Sequence, residues 1–579
     1  MANGDGRGLR KGLTSYGDAE FSLFLRKAFI KGMGYSDDAL ERPIVGIVDT
    51  FSGYNACHAT VPDLVEAVKR GVMLEGALPV PFPTISVHES FAHPTSMFLR
   101  NLMSMDTEEM IRAQPMDAVV LIGGCDKTVP AQLMGAASAG VPAIQLVTGP
   151  MLTGRHQGRK VGACTDCRGF WARYRAGEID ADEIAEVNSQ LVPGAGTCGV
   201  MGTASTMALV TEALGMMAPG GATPPAVSAD RRRIAETTGA LAVRMAREGL
   251  APGRIMTREA FENALVVLLA TGGSTNAIVH LAAIAGRMGL TLDLAAFDRI
   301  GRSVPVLVDL KPSGKHYMED LHAAGGLVTI LRELRDHLHL DCLTVTGRTL
   351  GEEIEAAPKG FPQDIVAPIT APLYPEGGIA VLRGNLAPGG AIVKQSAASP
   401  ALMRHRGRAV VFSSLADLAQ RIDDPDLDVA EGDVLVLQNA GPKGAPGMPE
   451  AGYMPIPRKL AARGVKDMVR ISDARMSGTA SGTIVLHVTP ESADGGPLAL
   501  VRTGDTIALD VPARSLTLEV PEEALAARRG GFAPPVHDGA DRGYKKLFLD
   551  TVQQADRGCD FDFLAPPSTG RVPRGGEGG

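Results

Sequence analysis

Five consecutive apolar residues, Ala118-Val119-Val120-Leu121-Ile122, run directly into Gly123-Gly124-Cys125-Asp126-Lys127-Thr128-Val129-Pro130 and then into a small-residue helical pattern from Ala131 to Gly140. A strand without polar alternation is covered on both faces, and such strands belong to mostly parallel sheets flanked by helices. Ligand crevices in sheets of that kind form beyond the carboxyl ends of the strands. The turn therefore puts a thiol, a carboxylate and an amine side by side where a site is expected. The competing reading is a solvated strand-to-helix turn with one inert cysteine.

The flanking chain repeats the pattern. Ile44-Val45-Gly46-Ile47-Val48 reads as a buried strand, followed by a loop through Cys57-His58 and a helix that Thr60 can cap, with Pro62 in its first turn. A further strand is expected at Val80 to Val87, a helix over 101–117, and a strand from Val141 to Val147. An isolated helical stretch is expected around Phe21 to Gly32. Residues 179–190, 204–217, 230–248, 257–270 and 275–288 carry helix-period apolar positions. Prolines gather between Pro358 and Pro375, and beyond them short β-branched runs dominate, among them 379–382, 391–393, 409–412, 434–437 and 483–488. The expected fold is thus α/β: an N-terminal mostly parallel α/β domain with many helices over 1–368, and a C-terminal β-rich, barrel-like domain over 369–565. A disordered tail is expected over 566–579. No internal repeat is evident.

Composition excludes several functions. Charged residues are 21% and the formal net charge is −8, so nothing favours a nucleic acid or an anionic membrane as partner. No apolar run reaches bilayer-spanning length, and Met1-Ala2-Asn3-Gly4-Asp5 does not begin a signal peptide. Seven cysteines, an odd number, point to thiolate ligands and a cytoplasmic enzyme more than to disulfides.

Several motifs fail on geometry. In His88-Glu89-Ser90-Phe91-Ala92-His93 the histidines are five apart and diverge on a helix, unlike the four-residue spacing of a zinc protease. Gly194-Ala195-Gly196-Thr197-Cys198-Gly199 has dinucleotide-loop spacing but follows a helical pattern where a strand is needed. Cys164-Thr165-Asp166-Cys167 is a CxxC pair without a second pair; it reads either as a redox or zinc half-site or as a partly buried turn.

Three constellations survive. Cys57, Cys125 and Cys198 each lie in a small-residue loop just before an expected helix, where the helix N-terminus favours a thiolate. Scattered single cysteines suit an iron–sulfur cluster with an open coordination position better than zinc; the competing reading is three unrelated core thiols. Glu89, Asp126 and Glu450 are loop acids that suit an oxygen-ligated Mg²⁺, or are simply solvated. Ser477, in Asp473-Ala474-Arg475-Met476-Ser477-Gly478-Thr479-Ala480-Ser481-Gly482, is either a base or nucleophile or a hydrogen-bonded turn serine.

These segments, with Thr203-Ala204-Ser205-Thr206-Met207, Ala270-Thr271-Gly272-Gly273-Ser274-Thr275-Asn276 and Gly441 to Glu450, resemble the dihydroxy-acid and sugar-acid dehydratase family in order and register from about Pro43 to Pro490. That family includes dihydroxy-acid, phosphogluconate and pentonate dehydratases. The resemblance implies an iron–sulfur cluster, [2Fe-2S] in many members, on Cys57, Cys125 and Cys198. It also implies Mg²⁺ on Glu89, Asp126, Glu450 and an N-carboxylated Lys127. Ser477 is implied as the base, in alkoxide form, with Thr479 close to the substrate. Cys164 and Cys167 receive no role from it.

The implied reaction removes water from a 2,3-dihydroxy carboxylate to give a 2-keto-3-deoxy acid. The Ser477 segment followed by Val485-Leu486-His487-Val488 looks more like the sugar-acid branch, so an aldonate such as L-arabinonate or D-xylonate is the expected substrate. The alternative is 2,3-dihydroxy-3-methylbutanoate of branched-chain amino acid biosynthesis. A homodimer or homotetramer is implied, with the site between the two domains. A non-catalytic iron–sulfur sensor and a cysteine-ligated zinc enzyme are the readings from other classes.

Overall fold

The computed structural model describes residues 6–13 and 16–566. Apart from Pro566, the expected tail lies outside them. Near the N-terminus a helix over Ala19–Lys31 occupies the stretch expected around Phe21 to Gly32.

The first sheet has four parallel strands: Ile44–Asp49 (β1), Leu78–Pro83 (β2), Ala118–Gly123 (β3) and Ala143–Val147 (β4), in the spatial order β2-β1-β3-β4. Every residue of β3 is buried, as the unbroken apolar run requires. The chain leaves β1 for β2 on one side and returns to β3 on the other. The loops after β1 and β3 therefore flank a topological switch point, the place where open sheets bind ligands. Cys57 follows β1, and Cys125-Asp126-Lys127 follows β3.

Several boundaries differ from expectation. β2 spans Leu78–Pro83 instead of 80–87; Pro79, Pro81 and Pro83 cannot donate to a ladder and are tolerated because β2 is the edge strand. The helix expected over 101–117 is Ser96–Ala113, ending before Gln114-Pro115 because a residue preceding proline avoids the α conformation. The helix after the Cys125 turn starts at Thr128, with Pro130 accommodated in its first turn. Thr60 precedes helix Val61–Leu74 but makes no side-chain cap, and its hydroxyl is buried without a partner.

A short antiparallel hairpin, Gly154–His156 (β5) and Arg159–Val161 (β6), leads into helix Thr165–Ala176, so Cys167 is helical and not in a turn. The expected helical region follows, including Thr203–Ala213, Ala229–Glu248, Arg258–Ala270 and Asn276–Arg287. Further short helices continue to Leu350–Ala356.

The C-terminal region is a closed barrel of Ala380–Gly384 (β7), Ala387–Val393 (β8), Arg404–Phe412 (β9), Val434–Leu437 (β10), Arg470–Ser472 (β11), Ile484–Thr489 (β12), Thr506–Asp510 (β13) and Ser515–Leu518 (β14). The order around it is β10-β11-β12-β8-β7-β14-β13-β9. β11, three residues long, is too short to signal itself in the sequence. Alternate residues of β7, β8 and β12 divide between two cores. Ala380, Leu382, Ala391, Val393 and Val485 fill the barrel, while Val381, Ile392, Ile484 and Leu486 join the core of the N-terminal region. Being apolar on both faces, these strands dock the barrel onto the α/β part. The end of the chain returns as well: Arg100 and Asn101 donate to the Cys559 carbonyl, and Arg287 pairs with Asp560. No helix among the described residues is long and apolar enough to cross a membrane.

Candidate active site

The loop after β1 carries Cys57 in a short 3-10 turn, Ala56–His58. Donor atoms of Cys57, Cys125 and His88 all lie within 4.8 Å of one another. The Cys57 thiol is pushed up by its hydrogen bond to Cys125 and by burial, so it holds its proton until a cation replaces it. Cys198 lies outside this trio; its Sγ is 3.0 Å from Sγ of Cys164. Against the lowering effect of the Cys164 hydrogen bond, burial and the nearby Asp126, Cys57 and Cys125 push the Cys198 thiol up, so the three expected cysteines face one region.

His58 braces this loop. Its Nε2 accepts hydrogen bonds from the Gly124 and Cys125 amides at 3.0 and 3.1 Å, and its Nδ1 lies 3.0 Å from the Thr50 carbonyl. Burial lowers its pKa from 6.5 to about 4. An unfolded histidine gains a proton as pH falls below about 6.5, whereas the folded one resists until about 4. The stability that neutral His58 supplies is therefore complete above the unfolded value and is lost as pH falls through the folded one. The shift corresponds to about 3 kcal/mol. The melting temperature should drop between pH 6.5 and 4, and the drop should be shallower in His58→Gln; equal slopes would contradict this role.

The acids form a second centre. Carboxylate oxygens of Glu89, Asp126 and Glu450 lie within 4.8 Å of one another, although Glu89 comes from the loop after β2 and Glu450 from a turn beyond β10. Lys127 is 1% exposed, with Nζ 3.2 Å from Glu89 and 3.6 Å from Asp126. Arg475 donates to Glu450 at 2.5 Å, to Glu89 at 3.1 Å and to Thr95 at 2.8 Å. Burial alone would raise Glu89, but Lys127 and Arg475 outweigh it and hold the carboxyl well below the usual range. Burial raises Glu450 against the pull of Arg475. Three clustered carboxylates with hard oxygen donors fit a divalent cation, and four converging thiols fit an iron–sulfur group.

The third part is the loop of Ser477. Ser477 Oγ lies 2.8 Å from Thr479 Oγ1, and both residues are buried. The loop rests on segments whose role the sequence did not reveal. Asn276 donates to Thr203, and the Thr203 and Ser274 hydroxyls are 2.9 Å apart. A Cβ at Gly478 would stand 2.5 Å from the Ser274 side chain. Gly478→Ala should therefore cost about 1–3 kcal/mol of stability. By displacing Ser477 it should also lower kcat by about 10²-fold. A melting curve paired with a turnover assay checks both.

Comparison with known proteins now decides the family. The model described as dihydroxy-acid/6-phosphogluconate dehydratase N-terminal matches residues 42–353, and its C-terminal counterpart matches 364–559. The chain belongs to the dihydroxy-acid/6-phosphogluconate dehydratase family. It is 48% identical to L-arabonate dehydratase of Azospirillum brasilense over 96% of this chain and 97% of that protein. It is 44% identical to 6-deoxy-6-sulfo-D-gluconate dehydratase of Pseudomonas putida over 91% of each. Identity to dihydroxy-acid dehydratase of Acetivibrio thermocellus is 39% over 92% of this chain and 96% of that protein.

Within this dehydratase the structure adds residues that the sequence reading left without a role. Arg475, two positions before Ser477, joins the serine loop to the acid cluster through its bonds to Glu450 and Glu89. Lys394, on the residue after β8, is buried and donates to the Gly478 carbonyl at 3.3 Å; burial lowers its pKa to about 7. His88, which opens the motif His88 to His93, stands beside two of the thiols, Cys57 and Cys125. Only Arg475 carried a sequence signal, as part of the Asp473 to Gly482 motif.

Proposed function

We propose that the chain dehydrates a 2,3-dihydroxy sugar acid, L-arabinonate or a related aldonate, to the 2-keto-3-deoxy acid, using an iron–sulfur cluster and Mg²⁺. The observation that carries this reading is the junction at Cys125-Asp126-Lys127. One turn supplies a thiol to the sulfur centre, and a carboxylate and an amine to the acid centre. The greater identity to the L-arabonate and sulfogluconate enzymes than to the dihydroxy-acid dehydratase supports a sugar acid as substrate.

Cys57, Cys125 and Cys198 would hold the cluster, in the [2Fe-2S] form that the family resemblance implies. Glu89, Asp126, Glu450 and N-carboxylated Lys127 would hold Mg²⁺. Carboxylation turns an amine that repels a cation into an oxygen donor, which explains a buried lysine among the acids. When bound, the two groups supply positive charge at the substrate carboxylate and C2 oxygen and Lewis acidity at the C3 hydroxyl. Ser477, as alkoxide, takes the C2 proton; the C2–H pair forms the C2–C3 double bond as the C3–O bond breaks, and the departing hydroxide takes that proton back from Ser477 to leave as water. Thr479 fixes the orientation of Ser477 through their shared hydrogen bond. Arg475 holds Glu89 and Glu450 in register. The enol product tautomerises to the keto acid, with no net redox change.

Anaerobically reconstituted protein should form keto acid from L-arabinonate or D-xylonate at a kcat/KM at least about tenfold above that for 2,3-dihydroxy-3-methylbutanoate, a difference of about 1.4 kcal/mol at the transition state. The reverse ranking would overturn the substrate choice. We also assign the protein to the cytoplasm, a reducing compartment consistent with seven free cysteines. We assign it a homodimeric or homotetrameric state; exposed Phe24, Phe29 and Met33 offer an apolar surface for a second copy. Light scattering giving a monomer would refute that assembly.

A further inference from the structure

Cys164 precedes the twelve-residue helix Thr165–Ala176 and lies against Cys198, with the two sulfurs 3.0 Å apart. Across the site Cys57 and Cys125 form a second pair, their sulfurs within 4.8 Å of each other, and the Cys57 thiol feels the charge of both Cys125 and Cys164. All four are free thiols. The arrangement is two plus two, which is the donor set of a fully ligated [2Fe-2S] cluster, two thiolates to each iron. Three thiolates leave one position open; this chain has a fourth sulfur in reach of it.

The segment around Cys164 is held on one side and coupled to the substrate loop on the other. Asp166 accepts from Gly162 N at 2.7 Å, Tyr317 Oη at 2.8 Å and Lys311 Nζ at 2.5 Å. Cys167 Sγ contacts the Cys164 carbonyl at 3.0 Å. Cys164 itself has a φ of 78°, uncommon for a residue other than glycine. Thr165 Oγ1 donates to the carbonyl of Thr479, at 3.0 Å, so the residue after Cys164 grips a residue expected close to the substrate.

We propose that Cys164 is a fourth thiolate donor to the cluster, closing its coordination when no substrate is bound and withdrawing when the C3 hydroxyl takes its place. The proposal rests on the cluster reading above. The exchange would release the Cys164 sulfur as the substrate oxygen takes its position. No electron moves, and the released thiolate takes a proton from solvent. Occupied in this way, the cluster would be shielded from small oxidants between turnovers, and binding at Thr479 would open it through Thr165.

The test compares anaerobic wild-type holoenzyme with Cys164→Ser and Cys167→Ser by iron and sulfide analysis, Mössbauer spectroscopy and visible circular dichroism, all without substrate. Cys164→Ser should retain about two iron and two sulfide per chain while the signal of one iron changes, because one of four thiolates is lost. Cys167→Ser should match wild type. In wild type, iodoacetamide followed by peptide mapping should modify Cys167 but spare Cys164 until the cluster is chelated away, a result that stands even if the Cys164 variant fails to fold. A Cys164→Ser spectrum identical to wild type with the cluster intact, or equal alkylation of Cys164 with and without the cluster, would overturn the proposal and leave the three-cysteine cluster standing. Wild-type protein that binds neither iron nor sulfide would remove the cluster reading and this proposal together.

Discussion

Ser477→Ala should lower kcat by about 10³-fold or more while leaving the iron and sulfide content and the visible spectrum unchanged, since loss of a positioned general base removes 10²–10⁴-fold. For Ser477 to act as the proposed base, its oxygen has to be held in one place. Thr479 Oγ1 is 2.8 Å from Ser477 Oγ, Gly478 is pressed against Ser274, and Lys394 holds the Gly478 carbonyl. The side chain removed is small and its loop is fixed by neighbours, so the alanine variant should fold with a melting temperature close to wild type. Turnover within tenfold of wild type would assign the base elsewhere.

Lys127→Met should lower kcat/KM by about 10³-fold, equivalent to about 4 kcal/mol of transition-state stabilisation. Its effect on Mg²⁺ affinity separates two roles for the lysine. Nζ stands 3.2 Å from Glu89 and 3.6 Å from Asp126. If the amine served only to neutralise these acids, removing it would strengthen binding of a divalent cation. If it is carboxylated and donates an oxygen, removing it weakens binding, and that is the expected result. Titration calorimetry with Mg²⁺ reads the sign directly. Incorporation of ¹³C-bicarbonate into wild-type protein but not into Lys127→Met, followed by carbon NMR, checks the carbamate independently. Tighter Mg²⁺ binding by the variant would refute the carboxylated lysine.

The fold class was legible because its signals are local. The apolar run of β3 admits only a strand covered on both faces, and the glycine-rich turn after it marks a strand-to-helix junction. The helices between 203 and 288 declare themselves by apolar periodicity. Boundaries were less legible, since they depend on neighbours. The prolines of β2 are acceptable only at a sheet edge, and the three residues of β11 become a strand only between β10 and β12. The halves of the site could be read as residue types, thiols in one set and acids in another, and the order of the motifs pointed to the family.

The sequence by itself determined which chemistry this chain carries: thiols before helices, acids and a lysine in turns, and a serine among small residues. Only the tertiary structure decided which of them meet. Glu89, Asp126 and Glu450 are scattered over more than three hundred positions, and the barrel brings the last to the first two. The buried guanidinium of Arg475, two residues before Ser477, then pairs with Glu89 and Glu450. Cys164 acquired a partner, Cys198, that no spacing rule connects to it. The physical reason is that a strand or helix is specified by neighbours a few residues away. A site is specified by long-range packing, here by β7, β8 and β12 burying one apolar face in the barrel and the other against the α/β core.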